Sequence, residues 1–277
     1  MYYALFERRN LAHATAIHFT AANEEREYRE LGFPVRRAIV IPNSFDPEDY
    51  AEVVPRGAFR AQFHIAANRP IVLFLSRLNW KKGLDTLIPA FARVAKEIPD
   101  SLLVIAGGDD DGYKKTIDGF IDAAQIRDSV LFTGMIVGAQ KISALQDASV
   151  FVLPSYSENF GMVVLEALYF GLPAIITPDV GVAPEAEAAC AAFVVPKTEE
   201  EVSRAIVRLL RDTTSAKAIG ERGRAVVLGE FSAQAVAEKF ERAYTDILSS
   251  KFVTTQLPIS LIVLTKNEEI HLARCLE

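Results

Sequence analysis

Ile71-Val72-Leu73-Phe74-Leu75 is an unbroken apolar run. It is closed by Ser76-Arg77-Leu78-Asn79-Trp80-Lys81-Lys82-Gly83, after which Leu84, Leu87, Ile88, Phe91, Val94, Ala95 and Ile98 recur at i, i+3, i+4, i+7, i+10, i+11 and i+14. The first run shows no polar alternation, so it reads as a strand buried on both faces; the second pattern is the apolar stripe of an amphipathic helix. Comparable short runs, rich in β-branched residues, lie at 16–19, 38–41, 102–106, 130–133, 150–153, 174–177 and 192–195, with helical patterns between them. Strands alternating with helices predict an α/β fold: a mostly parallel sheet, right-handed crossovers and helices on both faces. Ligands bind such sheets outside the carboxyl ends of their strands.

From 199 to 249 the strands stop and three helical stretches follow, broken near Asp212 and at 229–232. The segment 251–256 is polar without a core pattern. Residues 258–265 then read as a new strand and 267–277 as the start of a helix. The chain has 277 residues, half of them hydrophobic and 24% charged, with 15 Gly and 13 Pro, a composition that excludes disordered and low-complexity classes. A net charge of −6 supplies no global basic field for nucleic acid, so any phosphate site must be local. Two cysteines, Cys190 and Cys275, allow at most one bridge, and no signal peptide opens the chain, which points to the cytoplasm. No apolar run approaches the ~20 residues of a membrane span, although contact with a membrane surface stays open.

Two constellations carry chemistry. The loop 76–83 places Arg77, Lys81 and Lys82 after a strand and beside a helix start, which is either a local anion site suited to a diphosphate or a solvated basic loop. The second is Pro154-Ser155-Tyr156-Ser157-Glu158-Asn159-Phe160-Gly161-Met162-Val163-Val164-Leu165-Glu166-Ala167, a loop leading into a helix expected over 161–170. A carboxylate there can accept from two hydroxyls at once, and free amides at the helix start can hold hydroxyl or phosphate oxygens. The bland alternative makes Glu158 a charge complementing the helix dipole and Glu166 an exposed helix residue. Against it, Glu166 sits among Val163, Val164, Leu165, Ala167 and Leu168, where a carboxylate wants a partner.

The pair Glu158 and Glu166, in Glu-x7-Glu form with Arg77 and Lys82-Gly83 upstream, resembles the nucleotide-sugar half of family 4 glycosyltransferases, which have the GT-B fold. The resemblance extends over 12–249 and takes in Ile41-Pro42-Asn43, Ala106-Gly107-Gly108, Phe132-Thr133-Gly134 and Val180-Gly181. It implies a Rossmann-like domain and retaining transfer of a sugar from a nucleoside diphosphate donor to a glycan or lipid-linked acceptor, with no metal or other cofactor. Arg77 and Lys82 would hold the diphosphate, Glu166 the ribose hydroxyls and Glu158 the donor sugar. The backbone of Asn159, Phe160, Gly161, Met162 and Val163 would line sugar and phosphate. Departure of the diphosphate puts charge where fixed cations stabilise it, so Arg77, Lys82 and Glu158 are the expected catalytic set.

The resemblance also implies domains. Residues 1–41 would be the remnant of an N-terminal acceptor domain, 42–55 a linker, 56–249 the donor domain with its helical tail and 250–257 a second linker. Residues 258–277 are similar to the opening of family 2 glycosyltransferases, which have the GT-A fold. An incomplete first domain is expected to invite self-association. One departure is Asn43-Ser44-Phe45-Asp46 at the linker, where the family has Asn-Gly, which questions any glycine geometry there. The alternative function is a non-catalytic nucleotide-sugar-binding fragment or subunit that needs a partner domain.

Other signals are weaker. Asp109-Asp110-Asp111 fails the spacing of a calcium loop and reads as a solvated loop, and Gly107-Gly108 lacks the dinucleotide Gly-x-Gly-x-x-Gly spacing. His13, His18, His64 and His271 form no ligand spacing. Cys190, in an Ala-rich stretch, is expected to be a buried small hydrophobe.

Overall fold

The structure is a computed structural model that describes residues 8–109, 111–251 and 261–263. The chain divides into two compact units, Met1–Pro42 with Val236–Glu277, and Asn43–Ala235.

The first unit opens with α1 (Arg8–His13), β1 (Ala16–Phe19), α2 (Ala22–Glu30) and β2 (Ala38–Val40). β1 and β2 are parallel, with Ile17 opposite Ala38 and Phe19 opposite Val40. β1 is fully buried, whereas β2 is half-exposed and Val40 is 39% exposed. The apolar composition of 38–41 predicts a buried strand, but β2 lies at the edge of its three-stranded sheet, and an edge strand has a neighbour on one side only.

The second unit contains α3 (Ala58–Gln62), β3 (Ile71–Leu75), α4 (Leu84–Glu97), β4 (Leu102–Ala106), α5 (Lys114–Ala124), β5 (Val130–Gly134) and α6 (Gly138–Asp147). It continues through β6 (Val150–Leu153), α7 (Met162–Tyr169), β7 (Ala174–Ile176), α8 (Ala183–Ala188), β8 (Ala192–Val194), α9 (Glu199–Arg211) and α10 (Thr213–Glu230). The six strands form one parallel sheet in the order β5-β4-β3-β6-β7-β8. β3, β4 and β6 are buried throughout, as runs apolar on both faces require. The order reverses between β3 and β6, so the loops after these two strands diverge from one crevice at their carboxyl ends. On the flanks α4 packs against α9 and α5, and α7 against α10.

α9 begins at a Thr198 cap whose hydroxyl accepts from Glu201 N, carries three glutamates in its first turn and ends on Arg208 and Arg211, in register with its dipole. Asp212 then both ends α9 and caps α10. Cys190 corrects its expectation: it is exposed, with φ 51° in the turn between α8 and β8, where its N–H donates to Glu187 O (2.9 Å). Its left-handed backbone belongs to an exposed turn rather than to the strand, and alanine-rich neighbours do not reveal it.

The last elements return to the first unit. α11 (Ala233–Lys251) joins it from Val236 onward, and the Phe240 ring meets the buried His18 edge-on at 5.1 Å. His18 Nε2 is bonded to Ile41 O at 2.7 Å. The contact of Phe240 with His18 sets the last helix of the tail against the first unit. β9 (Leu261–Val263) pairs in parallel with β1, Ile17 opposite Ile262. The helix expected over 267–277 lies outside the described residues.

Candidate functional site

The β3–α4 loop is pinned at both ends. Ser76 N–H donates to Ala106 O (3.0 Å) and Leu78 N–H to Gly108 O (2.8 Å), with the Leu78 side chain buried. Asn79 Oδ1 then accepts from Lys81 N (3.0 Å) and caps a single 3-10 turn over Trp80–Lys82. Gly83 follows at φ 73°, its backbone so close to the β6–α7 loop that a Cβ would lie 1.9 Å from Pro154 O. Tyr156 N–H donates to Lys81 O (2.7 Å), so the two loops are joined by their backbones.

The second loop is fixed from its other side. Glu158 N–H donates to Asp179 O and Glu158 O accepts from Gly181 N, both at 3.0 Å, while Val182 N–H donates to Phe160 O at 2.9 Å. Phe160 is buried with its ring 5.9 Å from that of Phe231, so it offers only its main chain. Gly161 takes a left-handed turn into α7, and Met162 and Val163 are the first two helical residues, whose N–H groups have no carbonyl one turn back.

On this frame the Lys82 ammonium is ion-paired with the Glu158 carboxylate, their side chains only 12% and 20% exposed. Two residues chosen from separate motifs therefore meet. Arg77, on the same loop as Lys82, is exposed and forms no ion pair among the described residues. Glu166, in the second turn of α7, is 12% exposed and is met by Lys141 of α6, with Nζ 3.1 Å from Oε1. The partner that its apolar neighbours call for is thus present.

Three further residues shape the site. Tyr50 is held protonated beyond the ordinary tyrosine range, first by burial and then by the charge of Glu166 and a hydrogen bond to it. Its hydroxyl lies 3.5 Å from Lys141 Nζ. Tyr156 donates to Asp85 Oδ2 (2.7 Å), and Lys197 stands 4.8 Å over the Tyr156 ring while binding Asp179 Oδ2 at 2.6 Å. Sequence reasoning assigned no role to Tyr50, Lys141 or Lys197. The only signal for the first two was that Glu166 needed company, and they lie far from it along the chain.

Asp109 and Asp111 are exposed, and Asp111 Oδ2 accepts from Asn79 Nδ2 at 3.1 Å. Among the described residues no three of His, Cys, Asp or Glu are grouped to hold a metal ion. Nor is any helix among them long and apolar enough to cross a membrane. A separate cleft beside β8, lined by Phe193, Arg204, Arg208 and Arg222 among others, includes none of the candidate residues. At the linker Ser44 is not among the left-handed residues of the described chain, so no glycine geometry is called for there. Phe45 instead is buried, and its N–H donates to Phe231 O at 2.7 Å.

Comparison with known proteins agrees with this frame. The family model of glycosyl transferases group 1 matches residues 55–226. The chain is 29% identical over 221 residues to a GDP-mannose-dependent monoacylated alpha-(1-6)-phosphatidylinositol monomannoside mannosyltransferase of Corynebacterium glutamicum, covering 76% of this chain and 56% of that protein. It is 30% identical over 225 residues to an alpha-maltose-1-phosphate synthase of Mycolicibacterium smegmatis, covering 76% of this chain and 57% of that one. The chain therefore spans little more than half the length of these relatives. Among solved structures, sucrose-phosphate synthase from Thermosynechococcus elongatus matches 88% of this chain and 61% of its own, with a TM-score of 0.75 and 28% identity. Anabaena HepE, in complex with UDP and glucose, shares the fold with a TM-score of 0.74 at 21% identity, over 85% of this chain and 64% of its own. These are GT-B glycosyltransferase folds, with the parallel sheet and flanking helices described above. With more than half its length matched by the family model, the chain belongs to the glycosyl transferases group 1 family.

Proposed function

We propose that the chain is the donor-binding part of a retaining, metal-independent glycosyltransferase of the family 4 type, which moves a hexose from a nucleoside diphosphate sugar to a glycan or lipid-linked acceptor in the cytoplasm. The observation that carries this reading is the meeting of Lys82 and Glu158, a cation and a carboxylate from two different loops, at the carboxyl end of the sheet where its strand order reverses.

In this reading Arg77 and Lys82 bind the diphosphate, Glu158 the sugar and Glu166 the ribose. The main chain of Asn159, Phe160, Gly161, Met162 and Val163 lines sugar and phosphate. When the bond from the sugar carbon to the phosphate oxygen breaks, negative charge grows on the departing diphosphate. Cations already fixed there favour that state over the ground state, which is the condition for lowering a barrier. Protein charges would take the place that a divalent metal fills elsewhere.

A relative's dependence on GDP-mannose makes guanosine diphosphate sugars one donor class to try, with uridine diphosphate sugars the other. Calorimetry of UDP, GDP and their hexose conjugates tests the donor assignment: binding of none of them removes it. Sugar transfer or donor hydrolysis then separates an enzyme from a binding subunit. For residues 258–277 the pairing of Leu261–Val263 with β1 favours a strand that extends the first unit's sheet over the opening of a second, GT-A-like domain.

A further inference from the structure

Glu166 does not stand alone in the second turn of α7. Its Oε1 is engaged by Lys141 Nζ at 3.1 Å, and Lys141 also sits 5.1 Å over the Tyr50 ring, with its Nζ 3.5 Å from the Tyr50 hydroxyl. Tyr50 cannot swing away. Phe45 stacks on it at 5.1 Å and 11°, and the rings of Tyr169 and Phe170 close on it at 6.0 and 5.8 Å. Carboxylate, ammonium and phenol thus come from three separate segments and meet in a largely shielded place.

Stability alone is a poor account of this cluster. A shielded ion pair loses much of its attraction to desolvation, and an apolar trio of equal volume would do as well or better. What the cluster supplies is direction. A carboxylate offers about four lone-pair positions and pivots about its last bond unless something stops it. Lys141 takes one position on Oε1, the Tyr50 hydroxyl takes another on the same carboxylate, and the positions that remain are left for a ligand.

We propose that Tyr50 and Lys141 are positioning residues for Glu166, fixing its carboxylate so that the oxygen positions they leave free accept from two adjacent hydroxyls of the bound nucleotide. The inference rests on the reading of Glu166 as the ribose ligand and adds the two side chains that aim it. Neither touches the nucleotide in this arrangement. Their effect reaches it through Glu166, so it should be confined to the hydroxyls and absent from the diphosphate.

The test compares UDP or GDP, whichever the unaltered chain binds, with its 2′,3′-dideoxy counterpart by calorimetry. The unaltered chain should favour the ribonucleotide by about 10-fold or more, the scale of a hydrogen bond to a charged group. Tyr50→Phe and Lys141→Met should each narrow that preference by about fivefold while leaving the affinity for the dideoxy nucleotide unchanged, and Lys141→Arg should restore most of it. Adding Tyr50→Phe to Glu166→Gln should change nothing further, because the two act as one unit.

A merely structural role would weaken both nucleotides alike and keep the preference, which overturns this inference and leaves the ribose reading intact. Equal binding of the two nucleotides by the unaltered chain overturns the ribose reading, and the inference with it. Should Lys141→Met fail to fold, Tyr50→Phe, which removes a single oxygen, carries the test.

Discussion

Lys82 and Glu158 are ion-paired across 76 residues of sequence, the ammonium from the β3–α4 loop and the carboxylate from the β6–α7 loop. Each is therefore engaged before any ligand arrives. A diphosphate bound at Lys82 has to compete with Glu158 for the same charge, and its own negative charge meets that of the carboxylate. A sugar hydroxyl brought in by the same ligand would give Glu158 a new partner. On the proposed reading, the pair would place diphosphate and sugar recognition within one contact.

Removing the carboxylate charge should then divide the two ligands. Glu158→Gln is expected to leave a bare nucleoside diphosphate bound as well as before, or up to several-fold tighter, and to weaken the sugar-bearing donor. Calorimetry with both ligands checks this. Equal weakening of the two would mean that Glu158 merely shapes the loop.

The cations should behave in the opposite sense. Losing a hydrogen bond to a charged group costs about 1.5 to 3 kcal/mol, so Arg77→Ala and Lys82→Ala should each weaken nucleoside diphosphate binding by roughly 10- to 150-fold. Affinity unchanged in both variants removes the diphosphate assignment. If protein charges replace the metal, as proposed, the same titrations with and without chelator should superimpose, and binding that vanishes with chelator would contradict that.

Much of this frame was legible because parallel strands write themselves plainly. β3, β4 and β6 are apolar runs with no alternation, and each lies where the periodicity placed it, as does β1 despite its His18. Exposure was harder to read, since β2 is as apolar as the central strands and β5 opens on Val130-Leu131-Phe132, yet both lie at sheet edges, and edge position depends on strand order rather than on composition. The site shows the same division. Arg77, Lys82, Glu158 and Glu166 lie in two short segments, where the residues alone leave a bland reading open and the family resemblance singles them out. Tyr50 and Lys141 carry no local signal, because what draws them to Glu166 is the packing of α6 and the 43–50 segment around α7. Cys190 failed for a backbone reason, a left-handed turn that an alanine-rich sequence does not forecast.

Tyr50 offers a pH test. Burial and Glu166 hold its phenol protonated well above the ordinary tyrosine value near 10. A proton retained by the folded chain and lost by the unfolded one gives stability that is complete below about pH 10 and declines as pH rises beyond it. Burial also raises Tyr113, to which Asp85 adds; ultraviolet titration should therefore show late tyrosine ionisation that completes only as the chain unfolds in alkali, and Tyr50→Phe should lower its amplitude by one tyrosine. A variant whose absorbance loss falls near pH 10 would place Tyr50 in ordinary solvent.

Gly83 is where the two loops of the site touch, and its replacement separates two costs usually confounded. Its φ of 73° is left-handed, and an added Cβ would lie 1.9 Å from Pro154 O, a backbone atom that cannot rotate aside. Gly112 has nearly the same φ, 71°, with nothing within 4 Å of its added Cβ. Gly112→Ala should therefore cost only the left-handed conformation, about 1 to 2 kcal/mol. Gly83→Ala should cost that and also force the β3–α4 loop away from the β6–α7 loop, for a total of at least about 3 kcal/mol. The displacement would also separate Lys82 from Glu158, so nucleoside diphosphate affinity should fall in Gly83→Ala at temperatures where the chain is still folded, and remain unchanged in Gly112→Ala. Denaturant unfolding and calorimetry on the two variants measure both effects. Equal destabilisation would show that the Pro154 contact relaxes freely, and in that case the close approach of the two loops would not be what holds Lys82 and Glu158 together.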